Sequence, residues 1–263
     1  MGSKMPERRG PWIFVLVGIV TGLLSGLLGV GGGIVMVPAL AALGYSRHRA
    51  NATSLASILL VAFAGAIAFA FANSVDWPTG LILGVGGIVG STLGATIMKR
   101  LSGPALSVIF GLVLLGAGLR MVLGGEVTSG GVVAPGLSLA VELLIGVVAG
   151  LGSGLAGIGG GTVMVPAMVF LLGTDQHTAE GTSLVAMLFT AAAATRVNVA
   201  NGFVDWRAMW VLGVVGAATA PVATGIALQI PAATLTRVFG LFAIVLAIRT
   251  ISTSRRPAPE PPS

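Results

Sequence analysis

The 263-residue chain has no cysteine, one tyrosine and two histidines, and only 8% of its residues are charged. The missing cysteine excludes disulfides, iron–sulfur clusters and thiol chemistry. The low charge excludes an ordinary soluble domain, because 55% hydrophobic residues and a mean hydropathy of +1.02 are more apolar surface than a chain of this size can bury on its own. No G-x-x-x-x-G-K-[ST] phosphate loop and no H-E-x-x-H helix occurs, so neither nucleotide hydrolysis nor a zinc site of that type is expected. "LLSG" and "LGSG" lack the leading glycine of a membrane serine-protease nucleophile, so no enzymatic activity, cofactor or metal is expected.

What is present is a series of long apolar runs broken by glycine, proline and scattered charge. A bilayer core of about 30 Å needs about 20 apolar residues per helical span. The runs lack the alternation of a membrane β-barrel, so the expected fold is an all-α polytopic membrane protein with the lipid bilayer as its partner. The net charge of +6 then reports topology and not nucleic-acid binding, since the basic residues lie in short loops and tails. "RRGPWIFVLVGIV" looks like a secretory signal. Its counterpart recurs internally in "VELLIGVVAGLGSG", so it is expected to be retained as part of the fold.

The chain is a duplication. "GVGGGIVMVPAL" at 29–40 returns as "GIGGGTVMVPAM" at 157–168, a shift of 128. After one inserted residue the shift is 129, bringing His48 onto His177, Thr53-Ser54-Leu55 onto Thr182-Ser183-Leu184, Val75-Asp76-Trp77 onto Val204-Asp205-Trp206, and Arg120 onto Arg249. The halves are expected at 11–123 and 137–251, joined by a linker at 124–136 and followed by a disordered tail at 252–263. Each half holds five apolar pieces, near 11–29, 34–44, 52–73, 78–98 and 104–123, and near 137–157, 162–173, 179–200, 207–229 and 232–251. The second piece of each half is too short to span. Either it returns from the glycine break as a re-entrant hairpin, or it continues the first piece as one kinked crossing.

Charge favours the hairpin. With a returning piece the halves are inverted, both termini are cytoplasmic, and Lys4, Arg8, Arg9, Arg47, Arg49, Lys99, Arg100, Arg207, Arg249, Arg255 and Arg256 lie inside, against Arg120 and Arg237 outside. Parallel halves would divide the same residues eight to five. Arg196, near a helix end, is left out of both sums.

The glycine triplets Gly31-Gly32-Gly33 and Gly159-Gly160-Gly161 allow a sharp backbone break with exposed N–H groups. The short helix after each break aims its positive N-terminal end at the opening, with Val37-Pro38 and Val165-Pro166 expected in the first turn. Two such breaks from inverted halves are expected to meet near mid-membrane, where an anion site between them is one reading and close helix packing the other. Thr53, Ser54, Thr182 and Ser183 are further candidates, either as donors to an oxyanion or as helix caps. Ser25, Ser153, Asn51, Glu180 and Arg196 are secondary candidates, Arg196 either attracting the anion or snorkelling to the interface. His48 and His177 occupy equivalent loops, where proton coupling is one reading and a bland surface role the other. Single glycines such as Gly84 and Gly116 read as packing positions, Arg120 as a partner of Glu142, and Trp77 and Trp206 as interfacial anchors. Asn51 also opens a glycosylation sequon, expected to be accidental in a cytoplasmic loop.

"GLLSGLLGVGGGIVMVPAL", then "ATSLASI", then "VDW", all repeated in the second half, resembles the TauE/SafE family of sulfite exporters and related sulfonate permeases over residues 11 to 251. The resemblance implies a prokaryotic inner-membrane transporter of a small anion, such as sulfite or an organosulfonate; the sequence leaves open whether H+ or Na+ is a coupling ion. It does not distinguish sulfur from other small organic anions, or a carrier from a channel. "QHTAEGTS" departs from "RHRANATS" and puts Glu180 where the first half has Asn51, so the two ends of the pathway need not be equivalent.

Overall fold

The computed structural model describes residues 12–97, 104–123, 133 and 137–254. Among them all regular structure is helical: α1 (Trp12–Leu28), α2 (Gly33–Ala42), α3 (Arg47–Phe71), α4 (Trp77–Ile97) and α5 (Pro104–Leu123), then α6 (Ser138–Ala156), α7 (Gly161–Ala167) with a π turn at Met168–Leu172, α8 (Gln176–Ala200), α9 (Trp206–Ala227) and α10 (Ala232–Ser254). Six of these helices are long and apolar enough to cross a membrane. They present Phe63, Phe71, Val85, Val214 and Leu241 to their surroundings, as lipid-facing helices must. The linker at 124–136, Val133 apart, and the tail beyond Ser254 lie outside the described residues.

Helix directions follow from which residues meet. Gly18, Gly22 and Gly26 of α1 face Val215, Gly216 and Ala220 of α9, so the two helices advance together. Gly146, Gly150 and Gly154 of α6 face Leu83, Gly87 and Ser91 of α4 in the same way. A Cβ at Gly22, Gly26, Gly146 or Gly154 would strike a carbonyl oxygen of the facing helix, so these rows of small residues set the interhelical distance. Gly213 and Gly216 of α9 meet Leu60 and Val61 of α3, and Gly80 and Gly87 of α4 meet Val185 and Thr190 of α8, so these pairs are parallel too. By contrast, Gly65 of α3 meets Leu184 while Gly181 meets Phe69, and Gly111 of α5 meets Ile251 while Gly118 meets Gly240. Hence α3 opposes α8, and α5 opposes α10. Helices α1, α3 and α9 run one way and α4, α6 and α8 the other, so each helix opposes its repeat counterpart and the halves are inverted.

The halves also interlace, because the first helix of each packs along the fourth helix of the other. The short pieces return. Gly32 lies back against Thr21 of α1 and Gly160 against Ala149 of α6, while Leu40 near the end of α2 shares a cluster with Ala50 at the start of α3. The re-entrant alternative is therefore the one adopted. Helix α1 begins, and α2 and α10 end, on what is here termed the terminal side, and α5 ends on the opposite, linker side.

Three expectations are corrected. Helices α3 and α8 start at Arg47 and Gln176, earlier than the apolar runs, because Ser46 and Asp175 cap them by accepting from the N–H groups of Arg49 and Thr178. His48 and His177 consequently sit in first helical turns and not in loops. Pro38 and Pro166 lie inside α2 and α7, beyond the first turn, because helix begins directly at the third glycine of each triplet. Trp77 and Trp206 are both exposed, at the two opposite ends of the bundle.

This topology puts the α3–α4 and α9–α10 turns on one side and the end of α2 on the other. Single cysteines replacing Ala72, Gln229 and Ala42, in a chain with none of its own, will label with an impermeant thiol reagent so that Ala72→Cys and Gln229→Cys agree and Ala42→Cys is opposite. A continuous kinked crossing would separate Ala72→Cys from Gln229→Cys.

Candidate functional site

The two glycine breaks meet at the centre of the bundle. Gly29, Gly31 and Gly32 have φ of 64°, 72° and 70°, and Gly157, Gly159 and Gly160 have 72°, 95° and 88°. This left-handed backbone costs an L side chain about 1–2 kcal/mol per residue, so glycine is needed. The breaks also touch: a Cβ at Gly33 would strike the Gly157 oxygen and a Cβ at Gly161 the Gly29 oxygen. Gly31 and Gly159 both lie over Ile58 and Met187, themselves repeat equivalents. Where α2 starts, the N–H groups of Val35 and Met36 close on Gly32 O, and where α7 starts those of Val163 and Met164 close on Gly160 O. The N–H groups ahead of them, of Gly33, Ile34, Gly161 and Thr162, are the ends that a helix N-terminus leaves without intrahelical partners.

The flanking hydroxyls join the halves. Ser54 Oγ donates to Gly157 O at 3.0 Å, and Ser183 Oγ donates to Gly29 O at 2.7 Å, each gripping the break of the other repeat. Thr53 Oγ1 accepts from Asp205 N at 3.0 Å and Thr182 Oγ1 from Asp76 N at 2.9 Å, which ties the recurrent Val-Asp-Trp turns to the same helices. All four side chains are fully buried. Asn51, also buried, donates to the oxygens of Gly154 and Leu155 at the end of α6, 3.3 and 3.0 Å away. So enclosed a side chain is no glycosylation acceptor.

Its counterpart Glu180 is fully buried against Gly29, accepts from Gln176 Nε2 at 2.7 Å and has Oε2 3.8 Å from His177 Nδ1. Ser25 and Ser153 are buried beside the breaks, and their hydroxyls, like those of Thr21 and Thr162, have no hydrogen-bond partner among the described residues.

A cleft of about 390 Å³ leads to this junction from the terminal side, lined by Gly33, Ile34, Val37, Ile158, Thr162 and Arg249, among others. Both helix N-termini contribute to it, and Arg249 is the cation on its wall. The equivalent space on the linker side is filled by Met121, Met168, Val169, Leu235 and Phe239, all buried.

Arg249 and Thr162 were not singled out from sequence; the recurrence of Arg120 at Arg249 was the available signal, and it did not reveal which of the two would face an opening. Arg120 lies over the Phe170 ring at 5.3 Å and not against Glu142. Arg196 is exposed in a separate groove between α4 and α8, beside Ile88 and Thr92, away from the breaks. Gly84 packs on Phe189, as a small-residue contact should, whereas Gly116 faces open space.

At the terminal side, Tyr45 after α2 donates to Asp205 at 2.9 Å, and Arg49 stands 3.9 Å from the same carboxylate. Burial, then the hydrogen bond to Asp205, pushes the Tyr45 hydroxyl up to about 12, so it remains a donor at any physiological pH. This bond fastens the returning hairpin to the start of α9.

Gly159→Ala will lower the thermal midpoint in detergent by the equivalent of about 1–2 kcal/mol, while Gly116→Ala, with no atom within 4 Å of its Cβ, will leave it unchanged or raise it. Ser54→Ala and Ser183→Ala will each cost about 1 kcal/mol on the same measurement, as the loss of one buried hydrogen bond should. Equal midpoints for Gly159→Ala and the parent would contradict the left-handed break.

A family model described as sulfite exporter TauE/SafE matches residues 2–121 and 142–263, one match in each half. A "Probable membrane transporter protein" of Xylella fastidiosa is 33% identical over 247 residues, covering 89% of this chain and 92% of the relative. "Probable membrane transporter protein YunE" of Bacillus subtilis is 28% identical over 218 residues, 74% of this chain and 80% of that one. "Probable membrane transporter protein MJ0441" of Methanocaldococcus jannaschii is 38% identical over 119 residues, 42% of this chain and 45% of its own length.

Proposed function

Because the chain belongs to the TauE/SafE sulfite exporter family of membrane transporters, we propose that it carries a small anion, sulfite or a short organosulfonate, across the prokaryotic inner membrane by alternating access. One observation carries this reading: the cleft lined by Gly33, Ile34 and Thr162 ends where two helix N-termini from opposite halves converge. Each N-terminus is equivalent to about half a positive charge, so the pair balances roughly one negative charge without any side-chain cation. Arg249 adds a full charge on the wall. Such a cage of backbone donors accepts several oxyanion shapes and rejects neutral molecules, which lack the charge to replace lost hydration.

The substrate-binding residues are then the triplets Gly31-Gly32-Gly33 and Gly159-Gly160-Gly161, with Thr162 and Arg249 on the open side. Ser54 and Ser183 hold the breaks in place and Thr53 and Thr182 tie the Val-Asp-Trp turns to the same helices, since their hydroxyls already bond the opposite half. The burial of Met121, Met168 and Phe239 in the equivalent space on the linker side favours a carrier over a channel, and inverted halves give the second state by exchanging their conformations. Among the described residues Arg47, Arg49, Arg196, Arg207 and Arg249 belong to the terminal side, against Arg120 and Arg237 on the linker side. The positive-inside rule then makes the terminal side and both chain ends cytoplasmic.

Radiolabelled sulfite flux in proteoliposomes tests the proposal. Flux will saturate, and small sulfonates will compete with it while neutral sulfones of similar size will not. Arg249→Gln will weaken apparent affinity by about tenfold, a loss of about 1.4 kcal/mol, whereas Arg196→Gln, an exposed interfacial charge, will change it by less than about twofold. Equal competition by neutral sulfones would overturn the anion site. Competition by carboxylates alone would keep the mechanism and remove the sulfur assignment.

A further inference from the structure

The two repeats end their first helices differently. At the end of α6, Asn51 from the other half donates its amide to Gly154 O and Leu155 O, and Ser54 donates to Gly157 O. At the end of α1 the serine arrangement is reproduced, Ser183 donating to Gly29 O at 2.7 Å. The asparagine is not reproduced. Its place is taken by Glu180, whose Cα and Cβ abut Gly29 and whose carboxyl is turned to Gln176 and His177 of its own helix. An ionised carboxylate only accepts hydrogen bonds and is repelled by the negative end of a helix, whereas a carboxylic acid has one proton to donate.

The surroundings of Glu180 are those of a buried group with a route to one surface. Glu180 is fully buried, Oε1 accepts from Gln176 and Oε2 has no hydrogen-bond partner among the described residues. His177, whose side chain is 16% exposed, stands 3.8 Å from that oxygen, between it and the linker side where α8 begins. Gln176 is held from α10 by Thr236 at 3.3 Å.

The other charged groups on elements packed around the pair are accounted for. Asp175 caps α8 through Thr178, Asp76 accepts from Thr79 at the α3–α4 turn, Glu142 is buried on α6, and Arg237 is exposed on α10. Among the described residues none of these forms an ion pair with Glu180, so its charge is uncompensated unless His177 or a bound proton supplies the balance. An ionisable side chain so placed in a membrane helix is costly and is retained for a purpose.

We propose that Glu180 is the proton-binding group that couples transport. When ionised it places a negative charge beside Gly29 at the end of α1, and when protonated it removes that charge, whereas Asn51 at the end of α6 is neutral at every pH. His177 is the positioning residue that relays the proton from the linker side. One break of the inverted pair therefore has a constant electrostatic environment and the other has one set by a proton. The proposal rests on the transporter reading above, and it names H+ and not Na+ as the coupling ion.

Two measurements on the full-length protein test it. Infrared difference spectra of wild-type protein in nanodiscs, recorded as pH is raised, will lose a carboxylic-acid band that is absent in both Glu180→Gln and Glu180→Asn. In proteoliposomes, a pH gradient will drive sulfite flux in the wild type and a sodium gradient will not. Glu180→Asn, which copies the residue of the other half, will make flux with and without the pH gradient equal, and His177→Gln will displace the pH profile.

The proposal is overturned if the band persists in both Glu180 variants, if their flux keeps its response to the gradient, or if sodium alone drives the wild type. A protein that titrates at Glu180 yet moves no anion would overturn the transport reading itself, so the two failures are distinguishable.

Discussion

Everything in this bundle depends on one requirement of the membrane interior, that backbone polar groups find partners within the protein. A continuous helix meets it automatically, but a helix broken at mid-membrane exposes carbonyls on one side and N–H groups on the other. Here the carbonyl ends are served by side chains of the opposite half, Asn51 and Ser54 on one break and Ser183 on the other. The N–H ends are left toward the cleft. The same break thus creates a structural cost, met by the partner repeat, and an unfilled demand for an acceptor, which an anion can meet.

That arrangement explains why the halves interlace. For each break to be capped by the other repeat, α3 and α8 must cross the breaks in opposite directions, and α1 and α6 must be held against α9 and α4. Glycine rows along α1, α4, α6 and α9 let the backbones approach closely enough. Neither break is served within its own half, because the donors to its carbonyls come from the other repeat, 103 positions away for Ser54 and 154 for Ser183.

Under the alternating access proposed above, inversion makes two conformations nearly equal in energy, and departures from symmetry decide which is populated. The structure has three such departures around the breaks. Tyr45 fastens the hairpin on the terminal side to Asp205, while its counterpart across the repeat is Thr174. Arg249 lines an open cleft, while its counterpart Arg120 is stacked on Phe170. Asn51 is a permanent donor to the end of α6, while its counterpart Glu180 is a carboxyl buried beside Gly29. A carrier needs a small energy difference between its states that substrate or a coupling ion can reverse, and paired but unequal contacts are the physical means of setting one.

Composition alone determined the membrane class, because no soluble core of this length accommodates so apolar a chain, and self-similarity alone revealed the two halves and their glycine breaks. Charge pointed to inversion through the unequal distribution of Lys and Arg. The return of α2 against α1 was decided only by tertiary structure, since a ten-residue piece after a glycine break reads the same in either direction until Gly32 is seen beside Thr21. So was the work of Thr53, Ser54, Thr182 and Ser183, because a hydroxyl's partner depends on which carbonyl or N–H the fold brings within 3 Å. Which of two equivalent arginines faces an opening, and that Glu180 stands where Asn51 caps a helix, belong to the same class: sequence records the type of side chain, and three-dimensional packing alone decides what it touches.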